Sequence, residues 1–573
     1  MQKKRWILKT LNTLLLLNKF MTENTEQLKK LADILLPDVK MTPEEVVAKY
    51  PPRNLAAGAM VTRIAPSPTG FMHIGGLYAA LISERLAHQS GGLFYLRIED
   101  TDRKREVAGA VDLIVNALKE FKIKVDEGEV ASNEEIGNYG PYKQSDREDI
   151  YKVFVKKLIV DGLAYPAFES SAELEEISQR QTEAKIAPGY YGEWAAWRNK
   201  TIEEYLAAME SGLKPVIRLR SQGDIKKFVN VEDLFKGKLH LPESDQDIVI
   251  LKSDGLPTYH FAHIIDDHFM GTTHVLRGDE WLASLALHIQ LFNLMGWTPP
   301  VYGHIAPIQK LDNGNRRKLS KRHDPEASIS FYQEVGYPVE AVIMYLLNLA
   351  NSSFEKWLLE NPNEDLSKYP LSINELKKGA GALLDLVKMD SLSKEFIGRL
   401  PVEKVLELSL IWAKKYDQAL AAILENDLEY TAKVFNIERG NAKARKDLTK
   451  WSDLRAQVGF MFDEIFADIK INSAELEGIA AADIKAIAVG TLAQYNSNDD
   501  KDTWLQKMRD LAVVLGFAGD VKTFKAEPDK YKGHFGDVAK VIRVLLAGEN
   551  KSPDLYEVMQ VMGAERLAKR LNY

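Results

Sequence analysis

The chain has 573 residues, of which 45% are hydrophobic and 27% charged, and a formal net charge of −7. One compact core does not reach this length, so three or four domains are expected, and the composition is ordinary for a globular protein. The absence of cysteine excludes disulfides, thiolate nucleophiles and the usual cysteine-based zinc site. The net charge excludes a polycation, so any nucleic-acid binding requires locally concentrated basic groups.

The first twenty residues resemble a targeting segment only in part. Lys3, Lys4 and Arg5 precede an apolar run at 14–17, as in a signal peptide. However, polar residues interrupt the segment, no small-residue cleavage site follows, and it is too short to cross a bilayer. We prefer the interpretation that Met21 is the start and that the leader is disordered or artefactual. No other segment has a transmembrane pattern, and a cytoplasmic location is expected.

Alternating strand and helix patterns follow a polar helical stretch at 22–57. Residues 60–64 form a predicted strand, and Ile74–Ala87 has the apolar spacing of a helix after a loop rich in proline and glycine. Residues 93–98 form a second predicted strand, directly followed by acidic residues at 99–102. This order predicts a parallel α/β sheet, and ligand sites in such sheets lie at the carboxyl ends of the strands.

The α/β pattern is interrupted at 141–264 by mixed helices and strands, which look like an insertion. It resumes with a predicted strand at 273–277 and a predicted helix at 281–295. From about residue 330 the chain is almost wholly helical. The predicted fold is therefore multidomain, α/β plus all-α.

Two short segments about 245 residues apart carry the first chemical signal. Residues 65–76 read Ala-Pro-Ser-Pro-Thr-Gly-Phe-Met-His-Ile-Gly-Gly, and His73 lies at a helix N-terminus, where it can donate to a phosphate oxygen. Residues 318–322 read Lys-Leu-Ser-Lys-Arg, a basic loop that can clamp a polyphosphate. A turn without a ligand and a solvated basic loop are the plainer interpretations. Together the segments indicate one ATP site assembled from distant parts of the chain.

The two segments resemble the HIGH and KMSKS signatures of class I aminoacyl-tRNA synthetases, and further stretches look like bacterial-type glutamyl-tRNA synthetase. The resemblance is dense over 60–345, sparse over 350–530 and returns over 535–571. Ser67 lies in a Ser-Pro-Thr-Gly sequence that is specific to the glutamate enzyme, whereas the glutamine enzyme usually carries Glu-Pro-Asn-Gly. The similar stretches are 63–102, 140–147, 253–259, 266–282, 555–559 and 562–566.

This resemblance implies a Rossmann-type parallel-sheet catalytic domain with an α+β insertion, followed by helical tRNA-binding domains. The implied segments are an N-terminal extension (1–58), the first half of the catalytic domain (59–140), an acceptor-stem-binding insertion (141–264), the second half with the Lys-Leu-Ser-Lys-Arg loop (265–325), a stem-contact helical domain (326–400) and a helical anticodon-binding domain (401–573).

The resemblance also implies the site residues. Those expected to bind glutamate are Arg63, Ala65, Ser67, Glu99, Tyr259 and Arg277. Those expected to bind ATP are His73, Gly75, Gly76, Glu280, Lys318, Ser320, Lys321 and Arg322. His73 and Lys321 are the expected catalytic stabilisers of the phosphates. A guanidinium suits a carboxylate through its planar fork, and Glu99 suits the substrate ammonium, although a helix-capping acid is the plainer interpretation. His263 stands where the family often has Asn, and its role stays open.

The implied activity is glutamate–tRNA ligase: ATP activates glutamate to an adenylate, and a terminal ribose hydroxyl of tRNA(Glu) takes the acyl group. We expect ATP and Mg²⁺ to be required and no zinc to be bound. The protein is expected to be a monomer that does not bind a membrane. No protein nucleophile is needed, in agreement with the lack of cysteine. The alternatives are an enzyme that also charges tRNA(Gln), a glutaminyl-tRNA synthetase, a paralogue that glutamylates a queuosine base, and an inactive RNA-binding relative. The Ser67 motif, the long helical region and the retained site residues argue against the last three.

The helical region carries a basic cluster and a departure from the family. Trp451 beside the basic residues is predicted to stack an anticodon base, with an exposed helix face as an equal alternative. Asp390 and Ser391 replace the usual residue before a Trp and the Trp itself, which leaves anticodon discrimination open. The basic residues are Arg439, Lys443, Arg445, Lys446 and Lys450.

Overall fold

The computed structural model describes residues 25–320, 322–376, 382–439 and 445–572. The leader, Lys321 and Lys443 lie outside these ranges. The chain divides into two units, Met1–Ile329 with Leu347–Leu384 and Ser330–Leu346 with Asp385–Tyr573. Within the described ranges, none of the helices has the length and apolar content needed to span a bilayer.

All strands of the described chain lie in the first unit. They are β1 (Val61–Ile64), β2 (Leu93–Leu96), β3 (Glu127–Ala131), β4 (Glu134–Ile136), β5 (Ala164–Ala167), β6 (Val216–Leu219), β7 (Phe228–Asp233), β8 (Gly237–Pro242), β9 (Val249–Leu251), β10 (His274–Gly278), β11 (Val301–Ile305), β12 (Gln309–Asp312) and β13 (Asn315–Lys318). The helices up to residue 376 are α1 (25–35), α2 (Pro43–Lys49), α3 (Ile74–Gln89), α4 (Ala110–Glu120), α5 (Glu148–Val160), α6 (Ser171–Glu183), α7 (Ile202–Glu210), α8 (Tyr259–Phe269), α9 (Leu285–Leu294), α10 (Ile329–Val335), α11 (Val339–Ala350), α12 (Phe354–Glu360) and α13 (Ile373–Leu376).

A parallel sheet forms the centre of the first unit. Strands β1, β2 and β3 pair in parallel and β4 closes the edge antiparallel, while β10 pairs in parallel with β11. The amide of Thr273, just before β10, donates to the carbonyl of Val61 at 3.0 Å, which places the start of β10 beside β1. The three predicted strands and the predicted parallel α/β fold are therefore confirmed, although β2 ends at Leu96 rather than at residue 98.

Helix α3 confirms the helix predicted over 74–87 and extends it by two residues. Its apolar side chains, including Leu77 and Leu81, are buried. Gly92 then brings the chain against Met60 so closely that a Cβ there would lie 1.9 Å from the Met60 carbonyl oxygen. Only glycine permits this approach, so the turn from α3 into β2 is tight.

The helix predicted over 281–295 is right only in its second part. Residues Asp279–Ser284 form a 3-10 helix, and α9 begins at Leu285. The carbonyl of Trp281 accepts from the side chain of Arg277 at 3.2 Å. Arg277 lies on β10, so this contact joins the 3-10 helix to the strand before it. Helical periodicity alone could not predict such a contact.

The segment over 141–264 contains an antiparallel sheet, β5-β6-β9, and a separate hairpin, β7–β8. The N-terminal helices pack here through Leu31 and Val46, which are buried. Arg53 donates to both carboxylate oxygens of Glu127 at 2.8 Å. The extension is thus joined to the first unit by an apolar core and a two-pronged ion pair.

The second unit is helical, as predicted. Its remaining helices are α14 (Leu386–Arg399), α15 (Val402–Tyr416), α16 (Gln418–Asn426), α17 (Leu428–Asn436), α18 (Leu454–Val458), α19 (Asp463–Phe466), α20 (Ala481–Gln494), α21 (Lys501–Val514), α22 (Val521–Ala526), α23 (Phe535–Ala547) and α24 (Leu555–Leu571). Their apolar faces form a common core.

The base-stacking role predicted for Trp451 is wrong, because only 4% of its surface is exposed and it belongs to the core of the second unit. Arg439 donates to the backbone carbonyls of Ile397 and Leu400, and Lys446 pairs with Glu395. Arg439 therefore ties helices of the second unit together, whereas Lys446 is about half exposed beside its carboxylate partner.

Candidate active site

A cavity of about 650 Å³ opens at the carboxyl ends of β1, β2, β10 and β11, the position where open α/β sheets bind ligands. It is lined by every residue predicted to bind glutamate and by five of those predicted to bind ATP. These residues are Arg63, Ala65, Ser67, Glu99, Tyr259, Arg277, His73, Gly75, Gly76, Glu280 and Lys318. Segments separated by more than 200 residues in sequence therefore meet in one place.

Of the other predicted ATP residues, Ser320 and Arg322 are described and do not line the cavity. The backbone amide of Ser320 donates to Asp324 at 2.9 Å, and Arg322 is exposed. Lys321 lies outside the described residues.

Buried charges support the side of the cavity where glutamate binding is predicted. Arg97 is fully buried and donates to Asp267 at 2.7 Å and to Glu99 at 3.0 Å. Arg63, which is 4% exposed, lies 3.4 Å from the same oxygen of Asp267. Burial opposes ionisation of Asp267, but the two arginines outweigh it and lower its pKa. The carboxylate thus holds two guanidinium groups in place.

The pKa of Glu99 is shifted in the opposite direction to that of Asp267. Burial raises the pKa of Glu99, and the charges of Arg97 and Arg63 only partly oppose this rise. A bound ammonium group would favour the ionised form of this carboxylate. The residue predicted to meet the substrate ammonium is therefore placed where such a cation improves its electrostatic surroundings.

Arg277 is held by neutral groups. Its Nε donates to Nε2 of His304 at 3.1 Å, and its Nη1 lies 3.1 Å from Nδ1 of His288. Its Nη2 donates to the carbonyl of Trp281. Because these partners carry no negative charge, the guanidinium keeps its positive charge available for a carboxylate.

Aromatic rings form the wall beside Arg63. Tyr259 stacks on His263 with ring centroids 5.6 Å apart and lies 4.2 Å from the ring of Trp281. Burial raises the pKa of Tyr259 to about 12, so its hydroxyl stays protonated at neutral pH. His263 is itself fully buried, 3.0 Å from Asp267 and 3.2 Å from the hydroxyl of Tyr302. Burial keeps the pKa of His263 well below its ordinary value, so it contributes a neutral ring behind Arg63.

His73 caps the N-terminus of α3, where the sequence placed it, on the side of the cavity where phosphate binding is predicted. Its Nδ1 accepts from the backbone amide of Gly75 at 2.9 Å. In the neutral ring the proton then sits on Nε2, which is a donor. The N-terminus of α3 and this donor together suit an anion.

Lys318 ends β13 on the opposite side and is more than half exposed. Its Nζ lies 3.4 Å from the carboxylate of Glu280. The loop beyond it is anchored by Asp324, which accepts from Nη2 of Arg317 at 2.9 Å. On this side of the cavity, Lys318 on the hairpin and Glu280 opposite it are both solvated charges.

Several residues of this site were not predicted from the sequence. Trp281 and Arg105 line the cavity, and Arg97 and Asp267 bond to its lining. For Arg97, the signal was a charge within the apolar run 93–98, a position that a buried strand normally fills with an apolar residue. The other three show no comparable local signal.

Residues 59–360 match the family model for the catalytic domain of class I tRNA synthetases (E and Q). The chain belongs to this family. An anticodon binding domain matches residues 522–573. The predicted resemblance to class I synthetases is confirmed, and the chain is an enzyme of this class with ATP as a substrate.

The glutamate--tRNA ligase of Clostridium perfringens is 47% identical over 544 residues, which cover 95% of this chain and 100% of the relative. The glutamate--tRNA ligase of Sorangium cellulosum is 45% identical over 556 residues, covering 92% and 97%. A crystal structure of a glutamate tRNA ligase from Elizabethkingia meningosepticum in complex with its amino acid aligns with a TM-score of 0.70 at 27% identity, covering 90% of this chain and 98% of that one. The predicted likeness to bacterial-type glutamyl-tRNA synthetase is thus confirmed.

Proposed function

We propose that the chain is a glutamate–tRNA ligase, which activates L-glutamate with ATP and transfers it to tRNA(Glu). One observation carries the proposal: two buried guanidinium groups, a buried carboxylate and a helix-capping histidine line a single cavity. The first three suit an amino acid with an acidic side chain, and the last suits a phosphate.

On the amino-acid side, Arg63 and Arg277 bind the substrate side-chain carboxylate and Glu99 accepts from its ammonium group. Ala65, Ser67 and Tyr259 complete the pocket. Glutamine is rejected because its amide removes the negative charge and brings donors against the guanidinium donors.

On the phosphate side, the glutamate α-carboxylate attacks the α-phosphate of ATP and pyrophosphate leaves. His73 donates from Nε2 to a phosphate oxygen as charge grows on it, and the backbone at Gly75 and Gly76 lets the phosphates approach. The rest of ATP is bound by four charged residues and one hydroxyl: Glu280, Lys318, Lys321, Arg322 and Ser320. Mg²⁺ held by the nucleotide's own phosphate oxygens would supply positive charge to them.

In the second step the terminal ribose 2′-hydroxyl of the tRNA attacks the adenylate carbonyl, and AMP leaves. The protein supplies no nucleophile in either step. Catalysis comes from positioning and from charge stabilisation. The six-part domain division given above, with the anticodon reader at 401–573, is part of the proposal, as are a monomeric state and a cytoplasmic location.

The decisive measurement is ATP–pyrophosphate exchange with glutamate or glutamine, each with and without tRNA. We expect exchange with glutamate only, and exchange with glutamine alone would overturn the proposal. Replacing Lys321 by Ala should slow adenylate formation more than it weakens glutamate binding. An equal loss of both would contradict its role at the phosphates.

The range of tRNAs is a separate question. Asp390 accepts from the hydroxyl of Tyr337 within the second unit, so the carboxylate found in place of the family's usual residue is engaged internally. Charging of tRNA(Gln) as well as tRNA(Glu) is the alternative that this departure keeps open. Acylation of both transcripts by the full chain distinguishes the two cases.

A further inference from the structure

A line of hydrogen bonds joins the hairpin β7–β8 to Arg277. Asp233 ends β7 and is 1% exposed, and His304 on β11 is equally buried. The Oδ2 of Asp233 lies 2.6 Å from Nδ1 of His304. On the other side of the same ring, Nε2 accepts from Nε of Arg277 at 3.1 Å. A carboxylate in the predicted RNA-binding insertion is thereby connected to an arginine of the amino-acid cavity.

The partners on both sides determine which ring nitrogen carries the proton. A guanidinium has donors only, so Nε2 of His304 must accept. The proton of the neutral ring therefore sits on Nδ1, where it is donated to Asp233. The other oxygen of Asp233, Oδ1, accepts from the backbone amides of Phe235 and Lys236 at 2.9 Å each. These two donors fix the carboxylate, and the carboxylate fixes the tautomer.

The opposite side of Arg277 is held in a similar way. Its Nη1 donates to Nδ1 of His288, so the His288 proton sits on Nε2, 3.0 Å from Nδ1 of His260. With the Trp281 carbonyl on Nη2, every nitrogen of the guanidinium is bonded to a neutral acceptor. Two of the five N–H groups remain for a ligand, one each on Nη1 and Nη2.

We propose that Asp233 and His304 are positioning residues for amino-acid recognition: the carboxylate selects the His304 tautomer, and that tautomer orients the Arg277 guanidinium toward the substrate carboxylate. This role rests on the proposed function, because it requires Arg277 to bind glutamate. It gives the hairpin of the insertion a second task, at the amino acid rather than at the RNA.

Asp233→Asn tests the tautomer with little change of shape. The amide oxygen of the Asn remains with the amides of Phe235 and Lys236 and still accepts from the amide of His304, which lies 3.2 Å from both Asp233 oxygens. The NH₂ group then faces Nδ1 of His304. That NH₂ favours the ring with its proton on Nε2, which sets a donor against Nε of Arg277. The logic is that of a carboxylate that orients a catalytic histidine.

The measurement is steady-state aminoacylation and exchange, with glutamate and ATP varied separately. For Asp233→Asn we expect the KM for glutamate to rise about 10- to 100-fold, the range for losing a hydrogen bond to a charged group. The kcat and the KM for ATP should change less than about twofold, since nothing else at the site has moved. Glu232→Gln makes the same chemical change one residue away on the exposed face of β7 and should leave all three constants unchanged.

A double-mutant cycle tests whether Asp233 acts on Arg277 through His304. His304→Gln retains an acceptor for Arg277 and should bind glutamate better than His304→Leu, which has none. In the His304→Leu background, Asp233→Asn should add no further loss. Equal glutamate KM values for the two His304 variants, or an undiminished effect of Asp233→Asn in the Leu background, would overturn the proposal. So would an unchanged KM for glutamate in Asp233→Asn.

If Asp233→Asn instead lowers kcat and raises the KM for both glutamate and ATP, its role is merely structural. That result would also overturn the proposal. If Asp233→Asn does not fold, as judged by its thermal melt, the comparison of the two His304 variants decides. If the unmodified chain shows no glutamate-dependent exchange, the proposed function fails, whatever these variants do. Wild-type activity with a normal Asp233→Asn variant overturns only the positioning role.

Discussion

The arginine side and the lysine side of the cavity are built differently. Arg63 and Arg277 are 4% and 5% exposed and are bonded to buried partners, whereas Lys318 is 54% exposed and faces Glu280 across 3.4 Å. The arginine side is thus held in place by buried partners, while the lysine side is solvated. Preorganised buried charges discriminate between ligands, and solvated charges mainly attract them.

Removing one guanidinium from the buried side should have the largest effect. Arg63→Gln leaves Asp267 without one of its two arginine partners and deprives glutamate of a charge partner. We expect kcat/KM for glutamate to fall about 10²- to 10³-fold, the range for truncating a buried hydrogen-bonded charge pair. The control is Arg105→Gln, since Arg105 also lines the cavity but is exposed and pairs with Asp102 at the surface. A loss of similar size in both variants would remove the distinction between the two sides.

Neutralising the carboxylate behind the arginines should reduce stability. Asp267→Asn leaves Arg97 and Arg63 buried with less compensating charge. Breaking a buried ion pair in this way typically costs about 3 kcal/mol or more. We expect urea unfolding to show a free energy of unfolding of the first unit that is lower by this amount. Glu280→Gln removes the carboxylate of the exposed pair with Lys318 and should lower it by less than about 0.5 kcal/mol. Equal losses in the two variants would contradict this account.

The loop pattern and the family resemblance together predicted eleven of the residues that line the cavity, but not Trp281 or Arg105. The loop 65–76 and the end of β10 are short segments whose residue types suit a tight turn and a ligand, and both lie where predicted. Asp267, His288 and His304 could not be found in this way, because they act on arginines up to 204 residues distant. A one-dimensional pattern carries no record of such pairings. The same reason explains the error at Trp451, which packs against Gly336 across more than a hundred residues.

Removing charge from the solvated side should have a moderate effect that depends on salt. Lys318→Ala should raise the KM for ATP about tenfold at low ionic strength and distinctly less at 0.5 M salt, because exposed charges are screened. The KM for glutamate should stay unchanged. Arg316→Ala on the same hairpin is a control, since Arg316 is exposed and does not line the cavity. A salt-independent loss in Lys318→Ala would mean that this side is also preorganised.

The buried histidines beside Arg63 and Arg277 and the partly exposed His88 should differ in how they respond to pH. Burial keeps the pKa of His263 and His288 well below the ordinary value. Unfolding lets these two rings take up protons, so their contribution to stability declines as the pH falls below about 6.5.

His88, near the end of α3, contributes with the opposite sign and should give the smallest effect. It lies between Glu84 and Asp126, with Nε2 2.7 Å from Asp126, and these acids raise its pKa to about 9. The folded pKa is above the unfolded value of about 6.5, so the stabilisation is complete below pH 6.5 and is lost as the pH rises through about 9. His88→Gln should therefore be less stable than the unmodified chain by about 1 kcal/mol at pH 6 and nearly equal at pH 10. Urea titrations at both values measure the difference. A constant difference would show that His88 stabilises the unit by packing rather than by charge.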